Sequence, residues 1–69
     1  MAYTLRQWRA IRGMSQEQLA AALGITNMTV SNWETGKSEP KYSELVKLSL
    51  ILNTNGIDNI LLPVRSTLS

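Results

Sequence analysis

The sequence predicts an all-α fold, a compact unit of five short helices built from 69 residues. Three observations lead there. Apolar residues recur at three- and four-residue spacing in successive short segments. Ser, Thr, Gly, Asn and Pro stand between those segments, where helix caps and turns need them. No stretch shows the apolar-polar alternation of a half-buried strand, and there is no internal repeat or low-complexity run. The length sets one domain over residues 1–69. A chain this short buries only about 60% of the surface it exposes when unfolded, so every core residue counts.

The first helix spans Leu5–Arg12, with Thr4 as its N-cap. Leu5, Trp8 and Ile11 or Arg12 make its apolar stripe, and Arg6, Arg9 and Arg12 lie on a neighbouring one. Arg6 and Arg12 read as solvated charges. Gly13 ends the helix, and Met14 folds back on the core. Ser15 opens the second helix with a capping box, Ser15-Gln16-Glu17-Gln18. Leu19, Ala20 and Leu23 face inward; the small Ala20 lets the next helix approach. Gly24 permits a turn of about three residues, with Ile25 as its apolar plug.

Thr26 caps the third helix. On a helical wheel Val30 and Trp33 point one way, while Asn27, Met28, Ser31 and Asn32 point the other. Glu34 sits at the boundary. Trp33 packs at the helix edge, its indole N–H free to meet a partner. Thr35-Gly36 ends the helix, and a polar loop runs to Pro40. The fourth helix opens at Tyr42 or Ser43 and runs to about Leu52, with Leu45, Leu48 and Leu52 inward. Asn53–Gly56 is a turn. Ile57–Leu62 forms the fifth helix, stopped by Pro63, and residues 63–69 are a loosely held tail.

Composition excludes several kinds of chemistry. There is no cysteine, hence no disulfide, thiolate metal site or cysteine nucleophile. Histidine is absent too, which removes the usual general base and the commonest metal ligand. The five carboxylates (Glu17, Glu34, Glu39, Glu44, Asp58) have no metal-loop spacing. An enzyme is not expected, nor a cofactor, metal or small-molecule ligand. No apolar run approaches the roughly 20 residues of a membrane span, and no signal-peptide core is present, so the expected location is the bacterial cytoplasm. A net charge of +2 and a pI near 9.4 suit a nucleic-acid partner without requiring one.

One pattern unites these features: L-x-x-W-R-x-x-R-G-M-S-Q-E-Q-L-A-A-A-L-G-I-T-x-x-T-V-S-N-W-E-x-G-K-x-x-P. Its elements are weak singly. Their joint order and spacing resemble the helix-turn-helix domains of the Cro/CI phage-repressor and Xre-type family, from Leu5 to about Leu62. The resemblance implies a five-helix, lambda-repressor-like DNA-binding domain, with the helix-turn-helix at about residues 16–34 and its third helix in the major groove of operator DNA.

The polar face suits that role on physical grounds. Major-groove base edges present a distinct donor and acceptor pattern for each pair. Asn27 and Asn32 can pair with adenine, Met28 can touch a thymine methyl, and Ser31 can reach a base or a phosphate. With no Arg or Lys on this helix, A·T pairs are expected to lead in the contacted half-site. The resemblance places Gln16, Thr35, Lys37 and Lys41 at phosphate-contacting positions, and Thr26 and Thr29 join them at the start of the third helix. It also implies an ion pair between Arg9 and Glu34 that orients the first helix on the third. Glu39 departs from the pattern, standing where relatives often carry a basic residue.

The expected function is a sequence-specific repressor acting as a dimer on a pseudo-palindromic operator, a Cro-like regulator of a phage lytic/lysogenic switch. The chain has no room for a separate dimerisation or self-cleavage domain, which makes it more similar to a Cro protein than to a full-length CI repressor. Leu62 and Val64 belong either to the core or to the dimer interface. The alternatives are an antitoxin-like or autoregulatory Xre-family protein, the N-terminal DNA-binding domain of a longer CI-type repressor, or a fold used only for protein contact.

Overall fold

A computed structural model describes residues 1–63. Val64 and the remainder of 64–69 lie outside the described residues. Four α-helices form: α1 (Leu5–Arg12), α2 (Gln16–Leu23), α3 (Asn27–Thr35) and α4 (Tyr42–Leu52). A single 3₁₀ turn follows at Ile57–Asn59. Two very short strands, β1 (Tyr3–Thr4) and β2 (Ile60–Leu61), pair in parallel, Tyr3 opposite Ile60 and Thr4 opposite Leu61. No helix among the described residues is long and apolar enough to cross a membrane.

Local capping fixes the helix starts. The Thr4 hydroxyl accepts from Gln7 N–H at 3.1 Å while Gln7 Oε1 accepts from Thr4 N–H at 2.9 Å. Ser15 and Gln18 make the same reciprocal pair at 3.0 and 2.8 Å. Thr26 Oγ1 accepts from Thr29 N–H at 3.3 Å. Each of these satisfies a backbone donor that the first helical turn leaves unpaired. At α4 only half a box forms: Glu44 Oε1 accepts from Lys41 N–H at 2.7 Å, and a lysine side chain has no acceptor to return.

The core gathers Leu5 and Trp8 from α1, Leu19 and Ala20 from α2, Val30 and Trp33 from α3, Leu48 and Leu52 from α4, and Ile60 from β2. Tyr3, Met14, Leu23, Ile25, Leu45, Ile51 and Leu62 pack around it. Trp33 is 3% exposed and belongs to the centre, not to the helix edge. Its large ring is the main apolar surface α3 offers, and burial in the common core outweighs keeping the indole in reach of a partner.

The expected fifth helix does not form. Ile57–Leu62 splits into the 3₁₀ turn and β2, so the described residues form four α-helices and a strand pair where five helices were expected. Partners distant in sequence decide this. Trp8 Nε1 donates to Asn59 O at 2.8 Å, giving a partner to a carbonyl whose helical donor would be Pro63, which has no N–H. Ile60 is buried while Leu61 is 47% exposed, the in-out alternation of a strand. A short apolar run cannot be assigned to helix or strand by its period alone.

Trp8 organises this end of the molecule. Tyr3 meets it edge-on with ring centroids 5.2 Å apart, and the Arg12 guanidinium lies 5.4 Å over its face. Arg12 is therefore not a free surface charge. It donates to Leu52 O at 2.7 Å and to Asn53 O at 2.9 Å, satisfying carbonyls that α4 leaves open at its C-terminus. The turn after α4 closes around Thr54, the one buried polar residue among the described residues. Its hydroxyl donates to Gly56 O at 2.8 Å, so Ser49 Oγ, 2.8 Å away, supplies the donor between the two hydroxyls. Asn59 Nδ2 donates to Thr54 O at 2.7 Å. Thr54→Val keeps the volume but leaves the Gly56 carbonyl and the Ser49 hydroxyl without Thr54. It is expected to cost about 1–3 kcal/mol in chemical denaturation, with an unchanged denaturant slope.

Candidate nucleic-acid interface

α2 and α3 pack closely across a short turn. Gly24 makes the turn possible. It adopts φ 73°, ψ 32°, a left-handed conformation that costs a glycine nothing, and its N–H closes onto the last turn of α2. Ile25 N–H donates to Ala20 O at 3.0 Å, and Thr26 O accepts from the N–H groups of Thr29 and Val30 as α3 begins. With Val30 and Trp33 buried, the opposite side of α3 is fixed in direction.

That side carries Asn27, Met28, Ser31 and Asn32. Asn27 is exposed, Met28 is 67% exposed, and Ser31 and Asn32 are half-buried. Among the described residues, the side chains of Asn27, Ser31 and Asn32 hydrogen-bond to no other protein group. Their amides and hydroxyl are therefore open to an outside partner as far as the described residues go. No charged group stands among them.

The rim residues differ in how free they are. Lys37 and Lys41 are exposed and take part in no ion pair among the described residues. Thr26 and Thr29 share a hydroxyl-hydroxyl bond of 2.9 Å. One hydroxyl proton is consumed there, leaving the other for an outside acceptor. The Thr35 hydroxyl turns back onto α3, donating to Ser31 O at 3.1 Å with Asn32 O at 3.4 Å. A phosphate offers only acceptors, so Thr35 has no hydroxyl proton to give it in this arrangement. Glu44 already seats a carboxylate at the start of α4, where an incoming anion would meet it.

Arg9, Glu34 and Gln16 meet below this surface. Arg9 Nε lies 2.5 Å from Glu34 Oε2, and its Nη2 donates to Oε1 at 3.1 Å. Arg9 Nη1 also donates to Met14 O at 3.0 Å. The Arg9 and Glu34 side chains are 13% and 7% exposed. Gln16 Nε2 donates to Glu34 Oε1 at 2.9 Å. Burial on its own would raise the Glu34 pKa. The hydrogen bonds from Arg9 and Gln16, helped by the charges of Arg9 and Arg6, outweigh it and hold the carboxyl below its ordinary range. One acidic side chain thus joins α1, α2 and α3.

The chain matches the helix-turn-helix family over residues 5–58. It belongs to this Cro/CI-like, Xre-type helix-turn-helix family. Membership makes it a DNA-binding regulatory domain and not an enzyme. The SPbeta prophage-derived uncharacterized HTH-type transcriptional regulator YonR of Bacillus subtilis (strain 168) is 41% identical over 51 residues, covering 74% of this chain and 47% of that protein. The chain therefore spans about half the length of the curated relative it matches. No solved structure matches it.

In helix-turn-helix terms, the structure brings Asn27, Met28, Ser31 and Asn32 onto one outward side of α3 and sets Gln16 beneath the end of that helix. Leu62 packs on the core and, with Pro63, borders a cavity of about 270 Å³ between Thr4, Leu5, Arg6 and Glu34. Two connections escaped sequence reasoning. Gln16 and Glu34 are 18 positions apart and carry no local signal of contact. The inward turn of Thr35 did have one, since a threonine in the last helical turn commonly bonds a carbonyl three or four residues back.

The lowered carboxyl has a thermodynamic consequence. Its stabilising contribution is fully present above the unfolded pKa, near 4.5, and is lost as pH falls through the lower folded value. Unfolding free energy measured by urea titration from pH 6 to pH 2 is expected to fall across that window. In Glu34→Gln this part of the decline should vanish, and an unchanged profile would refute the assignment.

Proposed function

We propose that the chain is a transcriptional repressor that binds a pseudo-palindromic operator as a symmetric dimer, with α3 of each protomer in the major groove. The observation that carries this is the outward side of α3, where Asn27, Met28, Ser31 and Asn32 stand unengaged on a helix whose other side is locked into the core. Asparagine amides suit adenine edges, the Met28 thioether suits a thymine methyl, and Ser31 suits either base or backbone. Half-sites are expected to be led by A·T pairs.

Affinity in this reading comes from the rim. Lys37 and Lys41 supply cations to the backbone. Gln16 and whichever hydroxyl of Thr26 and Thr29 keeps its proton supply neutral donors. Thr35 lends no hydroxyl unless it breaks its bonds to α3. A net charge of +2 is small for a DNA-binding unit, which favours two copies acting together on half-sites about 34–36 Å apart. Leu62, half-buried and bordering the cavity, and Val64 are the candidate contacts between copies. The prophage origin of the relative supports a phage regulator of Cro type. The relative's greater length favours a second reading, in which this chain is the DNA-binding part of a longer regulator.

Selecting duplexes from a random pool tests the proposal directly. An enriched inverted repeat with A·T-led half-sites and a log–log salt slope of about −3 to −4 is expected for four lysine contacts per dimer. No enrichment, or half-sites led by G·C, would count against it. Lys37→Ala should weaken all duplexes alike and flatten the slope by about 1 per protomer. Asn32→Ala should cost about 1–3 kcal/mol on the selected operator and relax preference at one position, leaving the slope unchanged.

A further inference from the structure

A primary amide is two-faced. One end holds two N–H donors and the other an acceptor oxygen. A phosphate accepts hydrogen bonds and donates none, so a glutamine serves it only with the nitrogen end forward. At the exposed start of a helix nothing ordinarily chooses between the two orientations. At Gln16 something does. Glu34 Oε1 lies 2.9 Å from Gln16 Nε2, and an ionised carboxylate accepts only, so it admits the nitrogen end and rejects the oxygen. One Nε2 proton is used there. The second lies in the amide plane and points away from the carboxylate. Arg9 meets the same carboxylate with two donors, so the negative charge that orients Gln16 is balanced and does not repel a phosphate beyond it.

We propose that Glu34 is a positioning residue for DNA binding: it sets the amide of Gln16 so that a fixed N–H faces the phosphate backbone. The role rests on the reading of Gln16 as a backbone contact. It ties that neutral anchor on α2 to the reading helix α3 through a single side chain, so anchor and reader keep their spacing. Because Gln16 is uncharged, its contact displaces no cation, and its loss lowers affinity by the same factor at every salt concentration.

Two measurements test this. In the free chain, the side-chain amide protons of Gln16 are followed by ¹⁵N-resolved NMR as the carboxyl groups titrate. They should move in step with Glu34, and protons that ignore its titration would overturn the proposal without any substitution. On the duplex selected by the wild-type chain, Kd is then measured for Gln16→Met, Glu34→Gln and the double variant. Gln16→Met is expected to bind about tenfold more weakly, with parallel salt lines. The cost of Glu34→Gln should be clearly smaller in the Gln16→Met background than in the wild type. An equal cost in both backgrounds overturns this role alone. A wild-type chain that selects no duplex overturns the DNA reading itself. Should Glu34→Gln fail to fold, the titration decides.

Discussion

The carboxylate of Glu34 is where three helices meet. Arg9 reaches it from α1 with two donors, Gln16 from α2 with one, and α3 supplies the acid itself. Desolvating a carboxylate and a guanidinium offsets much of their attraction, so such a pair adds less stability than its short distances suggest. What it adds is uniqueness. Leucine and valine side chains tolerate small rotations of one helix against another. A bidentate contact with a third partner does not. The angle between α2 and α3 is thereby held by directional bonds, while the apolar core supplies the adhesion.

The electrical layout follows from this. The acid at the end of α3 is matched by Arg9, and the outward side of the helix carries the uncharged Asn27, Met28, Ser31 and Asn32. Lys37 and Lys41, exposed and in no ion pair among the described residues, stand beyond the C-terminal end of α3. Glu39 is exposed nearby, and Glu44 occupies the start of α4. The uncharged amides, hydroxyl and thioether of the outward side of α3 and the lysines beyond it are thus separated in space.

Helix positions were legible in the sequence because the signals that set them are local. Thr4, Ser15 and Thr26 each announce a start within four residues, and Gly13, Gly24 and Gly36 each announce an end. The outward side of α3 was legible for the same reason, since a helical wheel needs nothing beyond the helix itself. The segment after α4 was not. Whether Ile57–Leu62 becomes helix or strand depends on Trp8 and Tyr3, more than fifty positions away. The roles of Arg12, Gln16 and Thr35 were hidden in the same way. Each side chain was identified as polar and near the surface, and each is held by a partner that a one-dimensional pattern does not contain.

The parallel pairing of Tyr3–Thr4 with Ile60–Leu61 fastens the start of the chain to the end of its described part. Its companion, the Trp8–Asn59 hydrogen bond, bridges 51 positions. Bringing such distant segments together costs the most loop entropy of any contact in the fold, and nothing repays it until the helices between have collapsed. The clasp is therefore a non-local contact that depends on the helices between its two halves. The bonds that join α1, α2 and α3 at Glu34 involve neither strand, while the clasp covers the end of the core where Trp8 and Ile60 lie.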